Sequence, residues 1–440
     1  MMKITHYSNS FLSINSGKTK IVCDPWVGTT DENSWISDPI HYDGHKIINN
    51  LKPQYIYISH LHCDHFDKKL LTKINKKKVF IVIKKFNFPI LKNRIKKLGF
   101  KNILELKEWT VKKLNKDLSI AIVPQITNNN DAIESKIQYD LDTSIIIKCN
   151  KSKKVFYNNV DNPLNINQIK KIKQFVKDKM NNSVDICTFN VGAASEYPQC
   201  FLNINRNKEK EKIINKSLDN VKKKINILNA KTFFPSGGSY KISGKYFDLN
   251  QFRALPENKI FDKLSKEKFK SYNLLGGKSL LADKNSVAIE NQELKLSINN
   301  KTIKNKKYVY EIKNKNKKIN LDNINYLYKQ SVINYFLRIK KFNITQSWKI
   351  NFLIYKNLTL TKSAKINHNK SKLIKTYKLN FSNKGKKYLL DIFLDGKLFY
   401  DLLSKKTSWN AALSGSLVLF RRKPNIFIPD LPFSLNFLTK

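Results

Sequence analysis

The chain has 440 residues, 41% of them hydrophobic, enough to bury a substantial core and to build two domains. Its formal charge of +48 would suit nucleic acid or an anionic surface, but only six of the 82 basic residues are arginine, and the lysines run with asparagine and isoleucine along the whole length. That spread, with no stripe of basic and aromatic residues, argues against nucleic acid as a partner and reads as a solvated lysine surface with a mild attraction for small anions.

Short strands and amphipathic helices alternate over the first 260 residues. Residues 3–7, 11–15 and 20–23 read as an opening strand series that ends in the rigid turn Asp24-Pro25-Trp26. Residues 55–59 form a further apolar strand, followed by strands at 79–83, 118–123, 143–149 and 154–157, all rich in β-branched and aromatic residues between Asn and Lys clusters. Helical spacing of Ile169, Ile172, Val176 and Met180 predicts a helix over 164–180, and that of Ile214, Leu218, Val221, Ile225 and Leu228 predicts another over 208–228. Beyond about Pro256 the composition changes. A lysine- and asparagine-dense stretch over 294–320, mixed strands near 347–355 and 388–394, and a turn at Asp395-Gly396 suggest a smaller α+β accessory domain over 261–440 that shapes a substrate entrance or an interface.

Three of the seven histidines fall within six residues, His60-Leu61-His62-Cys63-Asp64-His65, directly after the 55–59 strand. Imidazole nitrogens and a carboxylate are ligands that zinc and ferrous iron accept, and a loop leaving a strand can aim all four side chains at one point. His60 and His62 would serve one ion, with Asp64 and His65 facing a second. A second strand end, 155–161, runs from apolar residues into Asp161, a carboxylate able to bridge or complete such a site, or else a turn or helix-capping residue. The expected metal set is therefore His60, His62, Asp64, His65 and Asp161, with Asp64 and Asp161 orienting or deprotonating water as catalytic groups. Five scattered cysteines, odd in number and without a Cys-x-x-Cys pair, predict free thiols in a cytoplasmic protein, without a disulfide framework or an iron–sulfur cluster. With no apolar span of membrane length, no membrane is expected as a partner.

The histidine loop resembles the signature of the metallo-β-lactamase superfamily, and the residues around it resemble CMP-N-acetylneuraminate hydroxylases. The motifs occur in that family's order: Asp24-Pro25-Trp26, Tyr57 to His65, Leu141-Asp142-Thr143-Ser144, Val160-Asp161, Gly192 to Pro198, Phe234 to Gly238, then Ser408-Trp409-Asn410 and Phe420 to Pro424. The resemblance implies an α/β fold, a four-layer αββα metallo-β-lactamase-like sandwich over 1–260. It also implies zinc or iron, one or two ions, and a small anionic substrate such as a CMP-sugar. That family joins a Rieske iron–sulfur domain to this part, so a hydroxylating chain without that domain would need a separate Rieske or reductase protein. The ligand set departs from the superfamily pattern. Gln138 stands where a third histidine is usual, followed closely by Asp140 and Asp142 as substitute ligands or pocket residues, and the last histidine has no counterpart, since only His368 lies beyond His65.

Two histidines and a carboxylate suit an oxygenase iron and a hydrolytic zinc equally. The alternatives are therefore a zinc phosphodiesterase or lactonase, and a non-catalytic binding protein with a degenerate site. Among the other histidines, His6 is expected to be a hydrogen-bonded structural residue, while His41 and His45 are weaker candidates to replace missing ligands. Trp26 and Trp35 could line the pocket or belong to the core, and Ser236-Gly237-Gly238 could offer amides to a phosphate or mark a tight turn.

Overall fold

The computed structural model describes residues 1–30, 32–39, 44–125, 142–255, 260–291, 299–344, 348–380, 388–428 and 430–440. Among these, one sheet has eight strands in the order Val287–Glu290, Ser279–Ala282, Met2–Ser8, Phe11–Ser16, Thr19–Cys23, Tyr55–Tyr57, Phe80–Lys84 and Ile103–Leu106. A second has seven: Lys270–Ser271, Thr232–Pro235, Ile186–Phe189, Val155–Asn158, Thr143–Cys149, Leu118–Pro124 and Lys112–Lys113.

The two sheets face each other because strand alternation leaves both with an apolar inner face. Ile4, Ile14, Ile21 and Tyr57 of the first meet Ile120, Ile122, Ile145, Ile147 and Phe156 of the second. The intervening residues turn outward. Val22, Ile56, Ile81 and Ile83 pack on Ile48, Leu70, Leu91 and Ile95 of the helices Gly44–Leu51, Lys68–Lys73 and Ile90–Lys97. On the far side Ala121, Val123, Ile146 and Tyr157 pack on Ile169, Ile172 and Val176 of Ile166–Met180, and on Leu218, Val221 and Ile225 of Arg206–Leu228. The layers therefore run α, β, β, α, the metallo-β-lactamase-like sandwich expected from the sequence. Both long helices start two residues from their expected starts, capped by Asn165 and Asn205, whose side chains accept from the backbone N–H three residues on.

Sheet pairing carries this sandwich past the expected 260/261 boundary. Ser279–Ala282 pairs antiparallel with Met2–Ser8, and Lys270–Ser271 pairs with Thr232–Pro235. These strands are only two to four residues long between lysine-rich turns, so composition hides them and only hydrogen bonding to a neighbour defines them.

The later part holds a four-stranded sheet in the order Lys372–Leu379, Trp348–Lys356, Tyr388–Asp395, Leu419–Lys423. A 21-residue helix that the sequence reading did not single out, Leu321–Lys341, covers it with Ile324, Leu327, Tyr328 and Tyr335. Asp395-Gly396 is a helix start and not a free turn: the Asp395 carboxylate accepts from Lys397 N–H and caps Gly396–Leu403. One hydrophobic core joins this sheet, through Phe352, Phe399 and Trp409, to Trp26, Trp35 and Tyr240 of the first 260 residues. The contact is sealed at Phe201, which stacks on Phe420 at 5.0 Å, while Phe420 N–H donates to Cys200 O at 2.8 Å. No helix among the described residues is long and apolar enough to cross a membrane.

Candidate metal centre

Strands of both sheets end at one edge, and the polar side chains gather there. The strand Tyr55–Tyr57 runs parallel to Thr19–Cys23, so its following loop, Ser59 to His65, lies beside Asp24. From the facing sheet, Asp142 precedes Thr143–Cys149 and Asp161 follows Val155–Asn158; these strands are antiparallel, which brings the start of one to the end of the other. Thr143 Oγ1 ties the two sheets together at this point, meeting Tyr57 OH at 2.6 Å and donating to Ser59 O at 2.8 Å.

Asp24 is fully buried and organises the loop. Its Oδ1 accepts from Ser59 N–H at 2.7 Å and its Oδ2 lies 3.3 Å from His65 Nδ1. Burial raises its pKa, while His65 and the Ser59 amide oppose that rise. With Nδ1 on the Asp24 side of the ring, His65 turns Nε2 toward Asp161 Oδ2 at 3.0 Å and Asp64 Oδ2 at 3.4 Å. Burial opposes a charge on this ring, but Asp64 and Asp161 outweigh it and raise its pKa well above the ordinary imidazole value. Asp64 is half-buried, and His65 and His62 hold its pKa down to about 2 against the opposing effect of desolvation. Its Oδ2 also accepts from Asn9 Nδ2 at 3.3 Å.

His60 is fully buried, and burial together with neighbouring His65 and His62 depresses its pKa well below the ordinary value. A neutral imidazole is the form that ligates. Ser59 Oγ lies 2.8 Å from His60 Nδ1, leaving Nε2 to face His62 Nδ1 at 2.8 Å and Asp142 Oδ1 at 3.3 Å. Two groups emerge, His60, His62, Asp142 and His60, His65, Asp161, with the ligand atoms of each within 4.8 Å of one another. Two ring nitrogens and a carboxylate oxygen converging on one point fit a zinc or iron ion, and a histidine whose other nitrogen is already held is the usual support for such ligands.

The turn carrying Asp161 is strained. Val160 has φ of 54°, which a β-branched residue rarely adopts. It is over-determined by its neighbours: Val160 N–H donates to Asn158 Oδ1, and Asn159 Nδ2 donates to Val160 O and Asn162 O at 3.2 and 2.9 Å. Asp161 is not a helix cap, because Asn165 takes that role.

His60, His62, Asp64, His65, Asp142 and Asp161 are thus brought together, while Gln138, Asp140 and His41 lie outside the described residues. His45 stands in the helix Gly44–Leu51. His6 is buried, its Nε2 2.7 Å from Asn9 O and its pKa pushed down to about 4 by burial, as befits a structural histidine. Gly237 N–H donates to Asn9 O, so Ser236-Gly237 secures the Asn9 turn. Trp26 is core, and Trp35 stacks on Tyr240 at 3.7 Å and borders the cleft. Sequence reasoning did not assign Asp24 to the site; its position after an apolar strand and before proline was the available signal. Cys63-Asp64-His65 has a Cys-x-His spacing, and its imidazole is turned to Asp24 and Asp161.

A cleft of about 440 Å³ opens over this cluster, within the range of small-ligand sites. Ser408, Asn410 and Ser414, of the helix Trp409–Ser414 and its N-cap, also line the cleft.

No family model matches the chain. A Rieske 2Fe-2S iron–sulfur protein of Mycolicibacterium smegmatis is 30% identical over 129 residues, 28% of this chain and 24% of the relative, so the match spans about a quarter of that protein. Among solved structures, the chain is similar to Igni18, a metallo hydrolase from Ignicoccus hospitalis, with 14% identity, TM-score 0.41, and coverage of 66% of this chain and 99% of that one. It is also similar to CmlA, a diiron β-hydroxylase from Streptomyces venezuelae, with 12% identity, TM-score 0.41, and coverage of 62% and 53%.

Asp24→Asn is expected to keep the fold and weaken metal binding. The amide nitrogen that replaces Oδ2 would meet the Nδ1–H of His65 and force the other tautomer, in which Nε2 carries the proton and no longer offers a lone pair. Losses of such supporting partners cost roughly 10- to 100-fold in metal affinity, measurable by competition with a chromogenic chelator.

Proposed function

We propose that this chain is a metal-dependent enzyme acting on a small anionic carbohydrate, with sugar nucleotides such as CMP-sugars as the substrate class. The observation that carries the reading is the convergence of His60, His62 and Asp142, and of His60, His65 and Asp161, beneath one cleft. Bound zinc or iron would supply Lewis acidity there and, for iron, one-electron chemistry. Asp161, with 29% of its side chain exposed, would accept or return a proton on the cleft side. Asp64, steadied by Asn9, is the second.

If the reaction is hydroxylation, a separate Rieske or reductase protein supplies the electrons. The motif order and the Rieske protein among the relatives support that pairing. The five free cysteines fit a cytoplasmic setting. The second reading is a zinc phosphodiesterase or lactonase, favoured by His60, His62 and Asp142, two ring nitrogens and a carboxylate that suit a single hydrolytic zinc.

Incubating the metal-loaded chain with a CMP-sugar separates these readings. Turnover without oxygen or reductant supports hydrolysis, and turnover that requires both supports hydroxylation. Undetectable metal with retained CMP-sugar binding would instead mark a non-catalytic binding protein and end the enzyme proposal.

A further inference from the structure

In a chain with 82 basic residues, the described lining of the metal-centre cleft includes one cation, Arg94. The choice of arginine is informative because arginine is rare here, six against 76 lysines. The other five are engaged within the fold. Arg206 donates to Phe201 O and Ala364 O at 2.8 and 2.9 Å. Arg253 packs over the Tyr240 ring at 5.1 Å, and Arg338 donates to Thr439 Oγ1. Arg421 holds Asp391 through two nitrogens, at 2.9 and 2.8 Å. Arg422 donates to Asn425 Oδ1 and packs over Phe201 at 4.5 Å.

Arg94 has no such occupation: none of its nitrogens makes a hydrogen bond or ion pair with a described residue. It is nevertheless well placed, because Leu91 and Ile95 on either side of it are buried against the first sheet and hold the helix Ile90–Lys97 in position. The same cleft is also lined by the carboxylates Asp64, Asp142 and Asp161, which repel an anion, so Arg94 is the described lining residue that offers it a fixed positive charge. The guanidinium is a planar fork of five donors that grips a carboxylate or phosphate with two parallel hydrogen bonds, a geometry that the ammonium of lysine cannot supply.

We propose that Arg94 anchors an oxyanion of the substrate, a carboxylate or a phosphate, and so sets specificity while the reacting group lies at the histidine–aspartate cluster. The proposal rests on reading the cleft as an active site.

Phenylglyoxal labelling of the full chain, followed by peptide mass spectrometry, tests this at the residue itself. Arg421, whose side chain is 54% exposed and bound to Asp391, is the internal reference for general charge effects. Inorganic phosphate or malonate, added to near saturation, is expected to slow modification of Arg94 about ten-fold, as a site nine-tenths occupied would, with Arg421 unchanged. Protection by phosphate alone identifies a phosphate group, protection by malonate alone a carboxylate, and protection by both the chemistry they share. If neither slows Arg94 relative to Arg421, the proposal is overturned. Metal content measured on the same sample keeps the two readings apart. A metal-loaded chain with unprotected Arg94 sinks the anchor alone, whereas protected Arg94 in a chain that takes up no metal leaves the anchor standing and removes the metal reading.

Discussion

Replacing His60 and His62 together with alanine is expected to abolish stoichiometric metal binding. The two imidazoles supply the only ring nitrogens of the His60, His62, Asp142 group, and His60 also belongs to the group with His65 and Asp161. What remains is His65 with Asp64 and Asp161, one nitrogen among carboxylates. Since loss of a supporting partner alone costs roughly 10- to 100-fold, removal of two direct ligands should lower affinity by well over about 100-fold. Elemental analysis after dialysis against trace zinc or iron reads the effect. Thermal unfolding gives a second measure. An ion present at about 100 times its Kd stabilises the fold by about 2.7 kcal/mol, so added metal should raise the Tm of the parent chain and leave that of the variant unmoved. Full occupancy in the double variant would show that the ligands lie elsewhere.

Gly192→Ala is expected to be among the most destabilising single substitutions in the chain. A Cβ at this position would stand 2.1 Å from Ala254 O, and that oxygen cannot yield, because it is backbone and already accepts from Ala193 N–H at 2.9 Å. Gly192 also has φ of 100°, a conformation that costs an L-residue about 1–2 kcal/mol on its own. Gly28 isolates that conformational part: its φ is 97°, and nothing lies within 4 Å of a Cβ built there. Gly28→Ala should therefore cost about 1–2 kcal/mol, and Gly192→Ala at least about 3 kcal/mol once the clash is added, in the range of severe core disruption. Urea denaturation of both variants checks the difference. Equal losses would mean that the Ala254 segment shifts freely. Such a shift would reach the cleft, since Ala194, two residues on, lines its wall.

The sandwich was legible in the sequence because its strands are nearly continuous apolar runs. Residues 118–123 and 143–149 need burial on both faces, and only two covered sheets provide it. The pair of long helices was equally plain from the spacing of Ile169, Ile172 and Val176 and of Leu218, Val221 and Ile225. Strands such as Lys270–Ser271 and Val287–Glu290 carry no such pattern. They exist because a neighbouring edge accepts their hydrogen bonds, a fact that local composition does not encode.

The same division holds for the site. His60, His62, Asp64 and His65 are neighbours in the chain, so their chemistry could be read from spacing alone, and an aspartate at the end of an apolar strand drew attention to Asp161. Tertiary structure alone decided that Asp161 faces His65 and that Asp142 faces His60, because those contacts depend on how the two sheets are stacked. It also decided that Asp24 orients His65, 41 residues further along the chain, and that Arg94 overlooks the cluster from a helix on the outer face. Hydrogen bonds and charge act over a few ångströms in space, whatever the separation along the chain. A sequence can therefore name the groups that are able to react, while packing selects the ones that meet.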